Sequence, residues 1–397
     1  MNKKDIANFR KQLKINNDLL RIKELYYVYV MKESKEVYHH QSVPFEMLEK
    51  EQQELFIANY KKLLSGHIDE KLFALKFKRE EENSQQLLHQ GLNSKTTEEW
   101  TEYMLELVEK ILAGKQFEMD TVITFIRGDY MKPVKPTSEE YEESDRDQVY
   151  SNSFILCSIN KTQEPKKELL FDYIEKEFKY NIIVDPIINL KAPLSGFLYP
   201  CFMDNAADVN HVLYGTGKKY ELDYHFIEEV LNVEEATTAE DDKIVFEEVV
   251  KHVTDDPLNT TTLSSMYEEI YRVVEENEEE EQEARLDYRD VEKVLKNSGI
   301  TNIDVEAVET AFKTVVDDSR YELKASNVVP KATSKSIKIK TKVADLSISP
   351  QELNHVRQVE FGGKLYLMIE LEENTTIEGF EMAPESLFRK GENELDH

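Results

Sequence analysis

The stretch richest in chemistry runs Gly196-Phe197-Leu198-Tyr199-Pro200-Cys201-Phe202-Met203-Asp204-Asn205-Ala206-Ala207-Asp208-Val209-Asn210-His211-Val212-Leu213-Tyr214. An apolar, aromatic strand pattern enters a cluster of short polar side chains and leaves through a second apolar strand. Asp204, Asn205, Asp208, Asn210 and His211 are expected to converge where a buried sheet meets solvent. Carboxylate and amide oxygens in such a place hold a divalent cation or a polar ligand. In a metal-dependent hydrolase Asp204 and Asp208 would ligate the cation, with His211 as a base or third ligand. The competing reading is a connection whose Asp and Asn side chains bond their own backbone. No ligand spacing selects between the two.

The remaining candidates are weaker. His39 and His40 are adjacent in a strand pattern, so they point to opposite faces and do not share one ion. His225 and His252 lie in helical patterns without a histidine four residues away, so the zinc-helix signature is absent. Cys157 and Cys201 read as small hydrophobes within strands. Gly215 and Gly217 read as a turn, since the third glycine of a dinucleotide fingerprint is missing and Lys218-Lys219 follows. Walker, nucleophile-elbow, kinase and zinc-finger spacings do not occur.

Elements must position these residues. Ile6, Phe9, Leu13 and Leu20 are spaced mostly by helical steps. The run 25–30 and the return at 37–40 read as a hairpin, and Pro44 opens a helix to Leu64 that Ser65-Gly66 ends. The run 72–77 is a strand; Thr96 and Glu99 have capping-box spacing ahead of a helix over 97–112. Strands are expected at 121–127, 153–159, 169–174, 182–184 and 187–190, and residues 133–147 form an acidic loop. Helices follow over 222–233, 238–253, 263–284, 287–296 and 305–316. The chain then returns to strand at 337–340, around the Gly362-Gly363 turn and at 375–377.

The expected fold is α+β: a mixed, largely antiparallel sheet domain with flanking helices over 1–220, an acidic helical segment over 221–330, and a small C-terminal β module over 331–397. Net charge is −29 over 397 residues, and it is unevenly spread. Residues 1–135 are neutral, 136–233 carry −9, 234–330 carry −17 and 331–397 carry −3. The middle of the chain therefore repels a phosphate backbone, and direct nucleic-acid binding there is disfavoured. The run 277–283, nearly all acid, reads as a solvated or frayed helix end, the alternative being a site for a cation or a basic partner. No run approaches the roughly 18 apolar residues of a membrane span. The start is a charged helix rather than a signal core, and two cysteines make no disulfide framework, so a cytoplasmic protein is expected.

The opening 2–6, the block Gly196–Tyr214, and the tail segments Ile348-Ser349-Pro350, Gly362-Gly363-Lys364-Leu365-Tyr366-Leu367 and Ile377-Glu378-Gly379 resemble an uncharacterised Firmicutes family, domain of unknown function 4317. The resemblance runs in order along almost the whole chain. Met203 stands where relatives carry the first of two adjacent Asp residues, and Asp204 keeps the second. The resemblance implies a cytosolic location and one continuous architecture; it implies no activity, cofactor or catalytic residue.

The expected function is that of a non-enzymatic cytoplasmic scaffold or regulatory protein acting through protein–protein contacts, its acidic helices meeting a basic partner. Two alternatives are a metal-dependent hydrolase built on 204–211 and an acidic nucleic-acid mimic. No resident cofactor is expected beyond the divalent cation of the hydrolase reading.

Overall fold

Asn2 starts the first helix by accepting from the amides of Lys4 (3.0 Å) and Asp5 (2.9 Å), while Asp5 reaches back to the Asn2 amide. That capping box opens α1 (Lys3–Gln12), which buries Ile6 and Phe9. The structure is a computed structural model. It describes every residue except 81–82, 116, 134–148, 164–166, 183–184, 204–205, 255–256, 280–282, 319, 331–335, 372, 374, 378–379 and 385–397. The acidic loop expected over 133–147 lies outside the described residues apart from Pro133, as do Ile183 and Val184 of one expected strand. The chain divides into two compact units, Met1–Thr238 and Ala239–His397.

The first unit is built on an antiparallel sheet. Its elements after α1 are β1 (Leu20–Val30), β2 (Val37–Pro44), α2 (Lys50–Leu63), β3 (Leu72–Lys76), α3 (Ser84–Asn93), α4 (Thr97–Leu112), β4 (Thr121–Pro133), β5 (Val149–Gln163), β6 (Lys167–Asp172), β7 (Glu177–Ile182), β8 (Ile187–Ile188), β9 (Ser195–Tyr199), β10 (Cys201–Met203), β11 (Ala206–Asp208) and β12 (His211–Thr216). The strand order is β2-β1-β4-β5-β9-β12-β3, with β8 pairing β5 off that path. β6 with β7, and β10 with β11, form separate two-stranded ribbons.

Alternation along the strands gives the sheet two apolar faces. One is covered by α1 and α2, through Ile6, Phe9, Ile57, Tyr60 and Leu63. The other is covered by α3, α4 and a π-type turn at His225–Val230, through Leu88, Trp100, Met104, Phe226 and Val230. Residues 221–238, expected to begin the acidic helical segment, thus belong to the first unit, because Phe226, Ile227, Val230, Leu231 and Val233 are buried in its core.

Helix α4 runs over the expected residues. Thr96 accepts from the Glu99 amide (3.2 Å), and Glu99 accepts from the Lys95 amide (3.1 Å), one residue earlier than a strict capping box. The helix expected from Pro44 begins later: a short 3-10 turn covers Phe45–Met47, and α2 starts after Glu49, whose amide donates to Gln52 Oε1 at 3.2 Å. Helix α3 had no expectation. The Gly215 turn is corrected, since Gly215 lies within β12 directly opposite Gly196 on β9.

The second unit contains α5 (Ala239–Val253), α6 (Thr260–Glu279), β13 (Arg285–Leu286), α7 (Tyr288–Asn297), α8 (Val305–Val316), β14 (Leu323–Lys324), α9 (Ala325–Val328), β15 (Ile337–Lys340), β16 (Asp345–Ile348), β17 (Val356–Phe361), β18 (Lys364–Ile369), β19 (Thr376–Ile377) and β20 (Phe380–Glu381). Val249, Ile270, Val291, Leu295, Val308 and Phe312 form its core, while Glu275 and Glu276 face solvent. Among the described residues the strands β15–β20 form three small antiparallel hairpins. The architecture is therefore mixed α+β with small C-terminal sheets, as expected. No helix among the described residues is long and apolar enough to cross a membrane.

Candidate functional site

Three of the five candidate residues are described, and the structure brings them together. Asp208 ends β11, His211 starts β12, and the turn between them holds Asn210. Asp208 Oδ2 lies 2.6 Å from His211 Nδ1, and Asp208 Oδ1 accepts from the Asn210 amide at 2.9 Å. Both carboxylate oxygens are thus engaged within the turn. Gln85 on α3 donates to Val209 O (2.9 Å) and Asn210 Oδ1 (3.3 Å), while the Phe77 amide donates to Asn210 O (3.0 Å). Asp204 and Asn205 lie outside the described residues. Among the described residues no three His, Cys, Asp or Glu side chains form a group that could hold a metal ion.

Chemically the Asp208–His211 pair has the form of an oriented base, a carboxylate holding one imidazole nitrogen while a third of the ring side chain stays exposed (32%). A nucleophile would have to complete it. Cys201 is the nearest in register, paired with Asp208 across the β10–β11 ribbon. Its side chain is fully buried, and burial pushes its thiol up to about 12. A thiol held protonated and sealed from solvent is a poor nucleophile. Cys157 is likewise buried and raised by burial. Replacing Asp208 by alanine removes two hydrogen bonds and should cost about 1–2 kcal/mol, read as a lowered unfolding midpoint. An unchanged midpoint would contradict the turn-holding role.

The histidines separate as their sequence positions imply. His40 Nδ1 meets the Tyr26 hydroxyl (3.2 Å), while the His39 ring sits beside Tyr27 (6.1 Å between centroids). His225 Nε2 is buried with no partner among the described residues. His252 lines an open groove of the second unit with Asp304, Glu306 and Thr310.

Two polar clusters escaped sequence reasoning. In the first, Lys110 on α4 donates to Ser84 Oγ (2.7 Å) and Asn232 Oδ1 (2.6 Å), and burial lowers the Lys110 ammonium against the pull of Glu229 and Glu80. A serine beside a lysine of lowered basicity has the elements of a nucleophile–base pair. Here Ser84 is fully buried and its hydroxyl donates to Val230 O, so it ties α3 to the 225–230 turn instead. In the second, Arg127 on β4 binds Glu24 on β1 (2.8 Å) and Ser94 Oγ (2.8 Å), and its guanidinium lies 5.1 Å over the Trp100 ring. Glu24 also accepts from Thr97 Oγ1 (3.0 Å) and Ser42 Oγ (3.1 Å). No local motif announces either cluster, because their members are joined only by the fold.

A family model described as Domain of unknown function (DUF4317) matches residues 1–380. No curated protein and no solved structure matches the chain. With nearly its whole length covered by one family model, the chain belongs to the DUF4317 family.

Proposed function

We propose that the protein is a non-enzymatic interaction protein, a scaffold or regulator that acts through contacts with other proteins. The observation that supports this most is the β6–β7 ribbon. It sets Leu169, Phe171, Phe178 and Tyr180 on one face, with 56%, 43%, 70% and 74% of their surfaces open to solvent. Large contiguous exposed apolar surface marks a contact site. The groups with chemical potential fit the same reading: Asp208 is spent on its own turn, Ser84 is sealed, and both thiols are buried and protonated. The acidic second unit favours basic partners over acidic ones. Two free, buried cysteines and the family resemblance fit action in the cytoplasm of a Firmicutes bacterium.

A photo-crosslinking residue at Tyr180 tests the reading in cells. It should give protein adducts that the same probe at Tyr38, 72% exposed on β2, does not. Equal yields at the two sites would end it. The same reading expects no shift in unfolding midpoint when Mg²⁺, Mn²⁺ or Zn²⁺ is added to the purified chain. A shift of several degrees, lost in an Asp208→Ala variant, would return the 204–211 cluster to a metal-dependent role.

A further inference from the structure

We infer that the apolar face of the β6–β7 ribbon is a self-association surface, covered in solution by the same face of a second copy of this chain. The inference rests on the interaction reading above and names the partner.

The ribbon is amphipathic by register. Phe171 pairs with Phe178 and Leu169 with Tyr180, so these four side chains share one face, while Leu170, Asp172, Glu177 and Lys179 share the other. Asp172 holds the turn by accepting from the amides of Ile174 (2.9 Å) and Glu175 (3.1 Å), and Lys179 bonds Asp172 (3.1 Å). The turn adds Tyr173 and Ile174, 86% and 92% exposed. Phe171 packs edge-on against both Phe178 and Tyr173, each at 5.4 Å. The aromatic cluster is therefore ordered within the ribbon and open on its outer side. Among the described residues β6 and β7 pair only with each other, and a lone two-stranded ribbon is marginally stable in water.

Area and charge point to a second copy. Six large side chains, open by roughly half or more, present on the order of 800 Å² at the usual surface of such residues. That is about what one partner contributes to a standard stable interface. Residues 166–181 carry four basic and four acidic side chains in a chain of net charge −29. The ribbon is thus a locally neutral patch on an acidic protein. A basic partner gains little from a neutral patch, and it is where two copies meet with least repulsion. Facing the two ribbons about a two-fold axis makes a small sandwich, with the charged faces outward and the aromatic faces dry.

Salt separates this contact from others. Added salt screens repulsion between two acidic copies, so self-association should tighten at 0.5 M relative to 0.05 M NaCl, whereas binding to a basic partner would weaken. The test is sedimentation equilibrium of the full chain over micromolar to 100 µM concentrations at both salts. The expected result is a monomer–dimer equilibrium at least tenfold weaker in Phe178→Ser and in Tyr180→Ser, and unchanged in Tyr38→Ser. All the substituted side chains are exposed, and matching circular dichroism and unfolding midpoints establish that the variants fold. A monomer at 100 µM in both salts, or a dimer indifferent to Phe178→Ser and Tyr180→Ser, overturns the proposal. Heterologous adducts at Tyr180 from a monomeric chain would overturn it while leaving the interaction reading standing. Co-flotation of the monomer with neutral phosphatidylcholine vesicles, lost in Tyr180→Ser, would make the face a lipid contact and would also overturn it.

Discussion

Replacing Arg127 by methionine is expected to destabilise the first unit by about 3–5 kcal/mol, the cost of leaving a nearly buried carboxylate without its cation. Arg127 and Glu24 face each other in the β1–β4 register, and their side chains are only 13% and 16% exposed. From that position Arg127 also reaches Ser94 after α3 and the Trp100 ring on α4, so the pair fastens two helices to the sheet. Burial on its own pushes the Glu24 carboxyl up, but the hydrogen bond and charge of Arg127, with the hydroxyls of Thr97 and Ser42, hold it below its ordinary value of 4.5. A carboxyl lowered on folding contributes stability above its unfolded pKa and loses it as pH falls through the folded value. In Arg127→Met the remaining burial raises Glu24, which reverses the sign. The gap in stability between parent and variant should therefore be widest near neutral pH and narrow below pH 4.5. Glu24→Gln added to Arg127→Met should recover part of the loss, since it removes the orphaned charge. Urea unfolding of the three proteins at pH 7 and pH 4 measures this. A gap that stays constant with pH would mean that packing, rather than the ion pair, fastens the helices.

Local signals made much of the fold legible and left the polar clusters hidden. Helices α4 and α8 and strand β15 occupy the expected residues, because each carries its own periodicity and boundary residues. For α8, Asp304 accepts from the Ala307 amide at 2.8 Å, and Asp317 closes it in the left-handed conformation (φ 56°). Helix α6 begins three residues before the expected Leu263 because Asn259 caps it, accepting from the Thr262 amide (2.8 Å). Helix α3 carries little local signal, since polar Ser84-Gln85-Gln86 opens it and Gly91 is a poor helix former. Gly91 is where Met104 of α4 closes in, so a residue poor for helix formation is there for packing. The contact between Asp208 and His211 was legible because only two residues separate them. Glu24–Arg127 and Lys110–Asn232 span 103 and 122 residues, distances over which only the finished sheet brings side chains together.

The second large effect is expected at Gly196, where alanine should cost about 3 kcal/mol and lower the unfolding midpoint by roughly 6–12 °C. A β-carbon there would lie 2.1 Å from the carbonyl oxygen of Cys157 on the neighbouring strand β5 and 2.6 Å from Leu63 Cδ2 of α2. The first obstacle is backbone, so a rotamer change cannot relieve it. Its cross-strand partner Gly215 would place a β-carbon 3.1 Å from Leu63 Cδ1 and 3.2 Å from Leu63 O, a tighter fit than usual with one movable atom. Gly215→Ala should therefore cost only about 1 kcal/mol. The physical reason is that Leu63, fully buried, presses the end of α2 onto the sheet where β9 and β12 lie side by side. Two facing glycines leave the depth that this contact needs. This is also why Gly215 does not make a turn: its missing side chain serves an approach from above the sheet. Because β12, whose Gly215 pairs with Gly196 of β9, begins at His211, strain at Gly196 should loosen the Asp208–His211 turn as well, seen as faster amide exchange at Asn210. Equal, small losses for Gly196→Ala and Gly215→Ala would show that β5 and β9 can separate without cost, and would remove the close approach as the reason for either glycine.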